Sequence, residues 1–258
     1  MPSFPIAVDY FVRFLLVFFR MGGIIFFVPF YNSRIFAAQI KISLALILSF
    51  IIFPLLTVQS FTPPEEPITL LFAVIRELMV GLIIGYAAQL LFTGVQFAGE
   101  LISFQMGLGM AVLIDPNFQG RSTVVSQLYD VFALMIFLAF YGHHFFIRAA
   151  VQTFDVVPLS GFQYSTTLGK YLFVLFGQIF TVAFRIGIPV LIALFLTSVV
   201  MGFVARTIPQ MNVFLILPVM QIAVGSVMII LSLRATVMML KFLFAQLEKN
   251  VQWLITNM

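Results

Sequence analysis

The chain has no cysteine, which excludes a disulfide framework, a thiolate metal site and a cysteine nucleophile. Charge is also scarce. Asp, Glu, Lys and Arg make up 9% of the 258 residues, while 62% are hydrophobic, whereas a soluble domain carries about 25% charged residues to keep its surface in water. No stretch has the mixed polar composition of a separate soluble domain, so residues 1–258 read as a single membrane domain. The net charge of +4 comes from basic residues that are scattered rather than clustered. That pattern argues against nucleic acid as a partner and for membrane lipid, since scattered Lys and Arg orient a membrane protein toward the anionic inner leaflet. A basic leader is missing too: Met1-Pro2-Ser3-Phe4 carries no positive charge, and Asp9 and Arg13 interrupt the apolar stretch that would form a signal-peptide core. The first helix is therefore expected to be retained.

Crossing a bilayer takes about 20 mainly apolar residues in a helix. Runs of suitable character extend from about Phe4 to Val28, Ile40 to Val58, Ile68 to Phe92, Val124 to Phe146, Tyr171 to Val204 and Val213 to Leu233, with an amphipathic stretch from Thr236 to Ile255. The expected fold is all-α: a multi-helix integral membrane protein with a broken or re-entrant central segment. Arg34 and Lys41 flank the first loop, whereas Thr62-Pro-Pro-Glu-Glu-Pro67 makes the second acidic. The first loop is thus placed on the cytoplasmic side. Arg206, Arg234, Lys241 and Lys249 break any simple alternation later in the chain.

Charges inside membrane helices are costly and ask for partners. Asp9 and Arg13 stand four residues apart and can pair on one helix face, with Arg20 seven residues further along it. The face is either self-satisfied near the membrane edge or a polar docking stripe. Arg76 and Glu77 point in different directions and are expected to pair with other helices. Arg185 has no acid at i±3 or i±4, so its partner is sought elsewhere in the chain or in another subunit. His143 and His144 diverge by about 100° on a helix and have no acidic or Cys companion nearby, so no metal site is expected. Nor is there a nucleophile triad, Walker loop or dinucleotide fingerprint at a strand-to-helix junction. No catalytic residue and no cofactor are therefore assigned. Gly81 and Gly85 form a GxxxG pair suited to close helix packing.

The unusual stretch runs from Gly99-Glu100 to Asp115-Pro116. Gly107 and Gly109 each lower helix propensity by about 1 kcal/mol, and an Asp-Pro step favours termination. Non-helical backbone at membrane depth is tolerated only where protein covers it or it lines a cavity. Phe104, Met106 and Met110 are bulky or flexible groups able to close a gap.

Arg20 followed by Pro29 and a basic loop to Lys41, the Gly99-Glu100 to Asp115-Pro116 block, Phe137-Leu138 through Gly142-His143-His144, Pro189, and Arg206-Thr-Ile-Pro209-Gln210-Met-Asn212-Val-Phe214 with Pro218 together resemble the FliR family of export-gate subunits, flagellar and virulence-associated. Lys41 stands where the family pattern has arginine, a change that loses bidentate pairing. The resemblance implies a non-enzymatic subunit of a type III protein export gate. It would assemble with P-type and Q-type subunits and a switch protein in the bacterial inner membrane, at the flagellar basal body, and pass unfolded protein substrates. The family's channel plug maps onto Phe104 to about Gly120, and so onto Phe104, Gln105, Met106, Gly107, Leu108, Gly109, Met110, Asp115 and Pro116. Asp9, Arg13, Arg20, Arg76, Glu77, Glu100, Arg185, Arg206, Pro209 and Asn212 are the candidates for subunit packing or buried polar roles. A secondary transporter of small solutes and a pure assembly scaffold are the alternatives. The transporter calls for an inverted repeat with a matched second break, and none stands out.

Overall fold

The structure, a computed structural model, describes residues 3–29, 37–56, 66–108, 123–208, 210 and 212–258. Among them are seven α-helices: α1 (Ser3–Phe27), α2 (Ala38–Ile52), α3 (Pro67–Gln105), α4 (Val124–Ala139), α5 (Gly142–Val156), α6 (Thr166–Thr207) and α7 (Val213–Thr256), with a 3-10 turn at Phe53–Leu55. No strand occurs among the described residues, and the all-α class expected from the apolar runs is the class observed. Within α1 the stretch Val8–Phe27, and the whole of α3, α6 and α7, are long and apolar enough to cross a membrane. The bent pair α4–α5 can serve as a fifth span. The chain is a membrane protein.

Three boundaries differ from those the sequence suggests. α3 continues without a break from Pro67 through Gln105, past the point near Phe92 where the third run was expected to end. Gly94 and Gly99, which lower helix propensity, are sites of close packing: a Cβ on Gly94 would meet Val182 at 2.9 Å, and one on Gly99 would meet the Ser126 Cα at 2.5 Å. α7 likewise joins the last apolar run and the amphipathic stretch in one helix of 44 residues. Conversely, the run from Val124 to Phe146 is divided between α4 and α5 at Tyr141, whose backbone is left-handed (φ 57°).

The chain forms two compact units. The first comprises residues 1–90, 141–176 and 245–258. There α2 lies against α1, Phe53 meets Tyr10 and Phe14 edge-on at 6.4 and 5.9 Å, and Val12, Leu16 and Ala73 form a buried cluster capped by Leu70, Val74 and Leu159. Tyr171 stacks on Trp253 at 3.9 Å and donates to the Asn250 Oδ1. The second unit comprises residues 91–140 and 177–244. Its centre is a ring cluster of Phe92, Phe137 and Phe244, with centroids 5.6–5.8 Å apart.

Little of α6 and α7 is covered by the chain itself. Their most apolar stretches are only 17% and 11% buried, and Phe180, Phe184, Phe195, Phe203, Phe214 and Leu215 are exposed. Apolar surface on this scale must face lipid or another protein.

Candidate functional site

In the first unit, glycines set the distance between α1 and α3. A Cβ on Gly23 would meet the Gly81 Cα at 3.0 Å, one on Gly81 would run into the Arg20 carbonyl, and one on Gly85 would meet Phe27 Cβ at 2.5 Å. The GxxxG pair thus packs directly on α1. One turn from this contact on each helix stand Arg20 and Glu77, and the close approach joins them. Arg20 Nε donates to Glu77 Oε2 at 2.5 Å, with both side chains essentially unexposed.

The rest of the guanidinium is also engaged. Arg20 Nη1 donates to the carbonyls of Thr153 and Val157 at 3.0 Å and to the Thr153 hydroxyl at 3.3 Å, Nη2 donates to the Pro158 carbonyl at 3.4 Å, and the group lies 4.3 Å from the centre of the Phe154 ring. The Ser160 N–H donates to Glu77 Oε1 at 2.6 Å, and Arg76 Nη1 donates to the Ser160 carbonyl at 3.2 Å. Ser160 has a positive φ of 63°. This centre therefore fixes the turn that follows α5 to both α1 and α3. A buried charge is tolerated when it is paired and its remaining donors are satisfied, and both conditions hold. Thr153, Phe154 and Ser160 carried no sequence signal, because their part depends on partners 83 or more positions away.

In the second unit, α3 ends on a Schellman cap. The Gly107 N–H donates to the Phe104 carbonyl and the Leu108 N–H to the Ser103 carbonyl, each at 3.0 Å, with Gly107 at φ +79°. This is the bonding pattern that closes a helix with a left-handed glycine. Phe104 projects outward at 77% exposure, Gln105, Gly107 and Leu108 are half-buried, and Met106 is buried. Gly109, Met110, Asp115 and Pro116 lie outside the described residues. Met106 rests on Gly225 of α7, and Gly107 faces Gln221 and Pro218 of the same helix. Gln221 Nε2 donates to the Ser198 Oγ of α6 at 3.0 Å. The buried hydroxyl of Ser103 has no hydrogen-bond partner. Gln221, Gly225 and Ser103 were not singled out in the sequence; only the helical spacing of Pro218, Gln221 and Gly225 on one face of α7 hints at a seat.

The remaining candidates are dispersed. Asp9 and Arg13 are half-buried on α1, and it is Glu77, not this pair, that Arg20 meets. Glu100 is half-buried. Arg206 and Asn212 are exposed near the α6–α7 connection, and Pro209 lies outside the described residues. Arg185 is exposed on α6 among Phe180, Phe184 and Ile188 and makes no ion pair among the described residues. No group of three His, Asp or Glu side chains gathers among the described residues.

Residues 11–247 match the family described as bacterial export proteins, family 1. The flagellar biosynthetic protein FliR of Bacillus subtilis is 30% identical over 243 residues, covering 92% of each chain. FliR of Aquifex aeolicus is 29% identical over 227 residues, 87% of this chain and 86% of that one. The surface presentation of antigens protein SpaR of Shigella flexneri is 27% identical over 201 residues, 77% of this chain and 76% of that one. With a family match across residues 11–247 and relatives aligned over most of its length, the chain belongs to the bacterial export proteins, family 1, the FliR family, and is a membrane component of a bacterial export apparatus.

Proposed function

We propose that this chain is a non-enzymatic subunit of the type III protein export gate, in the bacterial inner membrane at the flagellar basal body. Residues 1–258 act there as one gate domain, building the channel core with P-type and Q-type subunits next to a switch protein. The segment from Phe104 to about Gly120 is its plug, and unfolded protein substrates pass when it is displaced. The observation that carries the plug assignment is the capped end of α3. Helix stops at Gln105, glycine turns the chain, Phe104 projects outward and Met106 folds inward. The broad apolar faces of α6 and α7 suit burial against helical partners better than lipid alone, because one of them carries Arg185. A charge in the hydrocarbon region is expensive unless a partner or water meets it. No chemistry is required of the chain beyond forming, sealing and opening the conduit.

The test is affinity purification of the tagged chain from its own membranes in mild detergent. P-type and Q-type subunits are expected in fixed ratio with it. Recovery of the chain alone, in a folded state, would contradict the assignment.

A further inference from the structure

We propose that Met106, seated on Gly225, is the latch that keeps the end of α3 against α7 in the closed gate, and that export requires its release. This rests on the plug assignment above. Gly225 is buried, and a Cβ placed on it would meet Met106 Cγ at 2.8 Å, Sδ at 2.8 Å and Cε at 2.9 Å. Every Met106 atom beyond its own Cβ therefore occupies space that any residue other than glycine would claim. Only glycine leaves the seat open.

The seat is braced from below. Gln221, one turn before Gly225, is tied to Ser198 of α6 at 3.0 Å, and the Ser198 hydroxyl donates to the Leu194 carbonyl at 3.0 Å. A Cβ on Gly107 would stand 3.8 Å from Gln221 Oε1 and 3.9 Å from Pro218 Cβ, in ordinary van der Waals contact. The contact itself is apolar. Among the described residues no side-chain hydrogen bond joins residues 103–108 to α7, and the Ser103 hydroxyl, buried one turn earlier, has no hydrogen-bond partner. Release then breaks no hydrogen bond. A methionine, with three rotatable bonds and a polarisable thioether, fits and refits such a niche readily. The result is a contact specific in shape and cheap to undo, as a seal that must open repeatedly requires.

The absence of cysteine makes the test clean. Met106→Cys combined with Gly225→Cys introduces a single pair, and the 2.8 Å between Met106 Cγ and the position of a Cβ on residue 225 lies within reach of a disulfide, whose Cβ atoms stand about 3.5–4.5 Å apart. The pair is built into the complete apparatus in living cells, and cross-linking, ion leak and secretion of an export substrate are followed before and after reduction. The latch predicts that the cross-link forms, that the gate stays ion-tight, and that secretion falls to background and returns on reduction. Secretion undiminished in fully cross-linked protein overturns it, as does failure of the pair to cross-link in the assembled gate.

Should the reduced pair itself not support export, Gly225→Ala replaces it. The added methyl must displace Met106, so the gate leaks ions, and adding Met106→Ala, which deletes all three clashing atoms, restores part of the tightness through a non-additive coupling. Equal leak in the single and double variants overturns the latch. These outcomes are separable from the plug assignment. Cross-linking reports the contact directly, whereas the plug fails only if deleting the segment leaves ion tightness intact.

Discussion

Replacing Glu77 by Gln removes one charge from a site sealed from solvent, with Arg20 at 0% and Glu77 at 1% exposure. In the native centre one carboxylate oxygen accepts from Arg20 Nε and the other from the Ser160 N–H. A glutamine has only one oxygen to offer. Whichever way the amide turns, its NH2 group confronts either Arg20 Nε–H or the Ser160 N–H, donor against donor. The carbonyls of Thr153, Val157 and Pro158 that surround the guanidinium supply hydrogen bonds but no net negative charge.

Breaking one partner of a buried ion pair costs about 3–5 kcal/mol, against about 5–15 kcal/mol of stability for a whole domain. Glu77→Gln should therefore sharply lower both the membrane abundance of the chain and its thermal stability in detergent, the latter read by fluorescence-detected unfolding. The partner change Arg20→Met should do the same. The two together should lose less than the sum, since the second substitution removes the charge that the first had stranded. Coupling between contacting residues runs to about 0.5–3 kcal/mol. Additive losses, or a Glu77→Gln chain as stable as the parent, would refute a paired and desolvated centre.

Gly81→Ala should destabilise by about 1–3 kcal/mol through overpacking, because its methyl would meet the Arg20 carbonyl and Gly23 backbone. Gly22→Ala, with nothing within 4 Å of the added Cβ, should be neutral or gain up to about 1 kcal/mol in helix propensity, and thermal unfolding compares the two. Ser103→Ala removes a buried hydroxyl that makes no hydrogen bond and should raise stability by about 1 kcal/mol or leave it unchanged; a clear loss would mean the hydroxyl has a role in the assembled gate. Arg185→Glu should abolish copurification with the helical partners while the chain still inserts, if the exposed guanidinium meets a partner carboxylate; an unchanged yield of complex would place Arg185 at lipid headgroups or water.

The apolar spans were legible in the sequence because bilayer thickness fixes their length and composition. Their continuity was less so. Glycine lowers helix propensity, yet Gly94 and Gly99 sit inside α3 because each serves a close contact with a neighbouring segment, and propensity yields to packing. The division at Tyr141 left no trace, since a tyrosine in left-handed backbone looks like any aromatic in an apolar run. Glu77 and Arg76 were expected to find partners on other helices; Glu77 meets Arg20 of α1, whereas Arg76 meets the Ser160 carbonyl in the turn after α5. That Arg20 is the partner of Glu77 follows from the Gly23–Gly81 contact, a tertiary fact that no local spacing encodes. Gly107 read as helix-weakening together with Gly109, while termination was expected at Asp115-Pro116; the helix ends earlier, at Gln105, on the left-handed backbone of Gly107. The seat on Gly225 was not readable, because a second glycine on a distant helix has meaning only once Met106 lies across it.

Deletion of Gln105 to Met110 removes the capped end of α3 and the methionine latch together, and the ion conductance of the resulting complex tests most directly whether this chain closes an export channel. With assembly verified by copurified partners, a large standing ion leak is expected across the membrane where the parent complex is tight. An assembled complex that lacks these residues and remains ion-tight would contradict it.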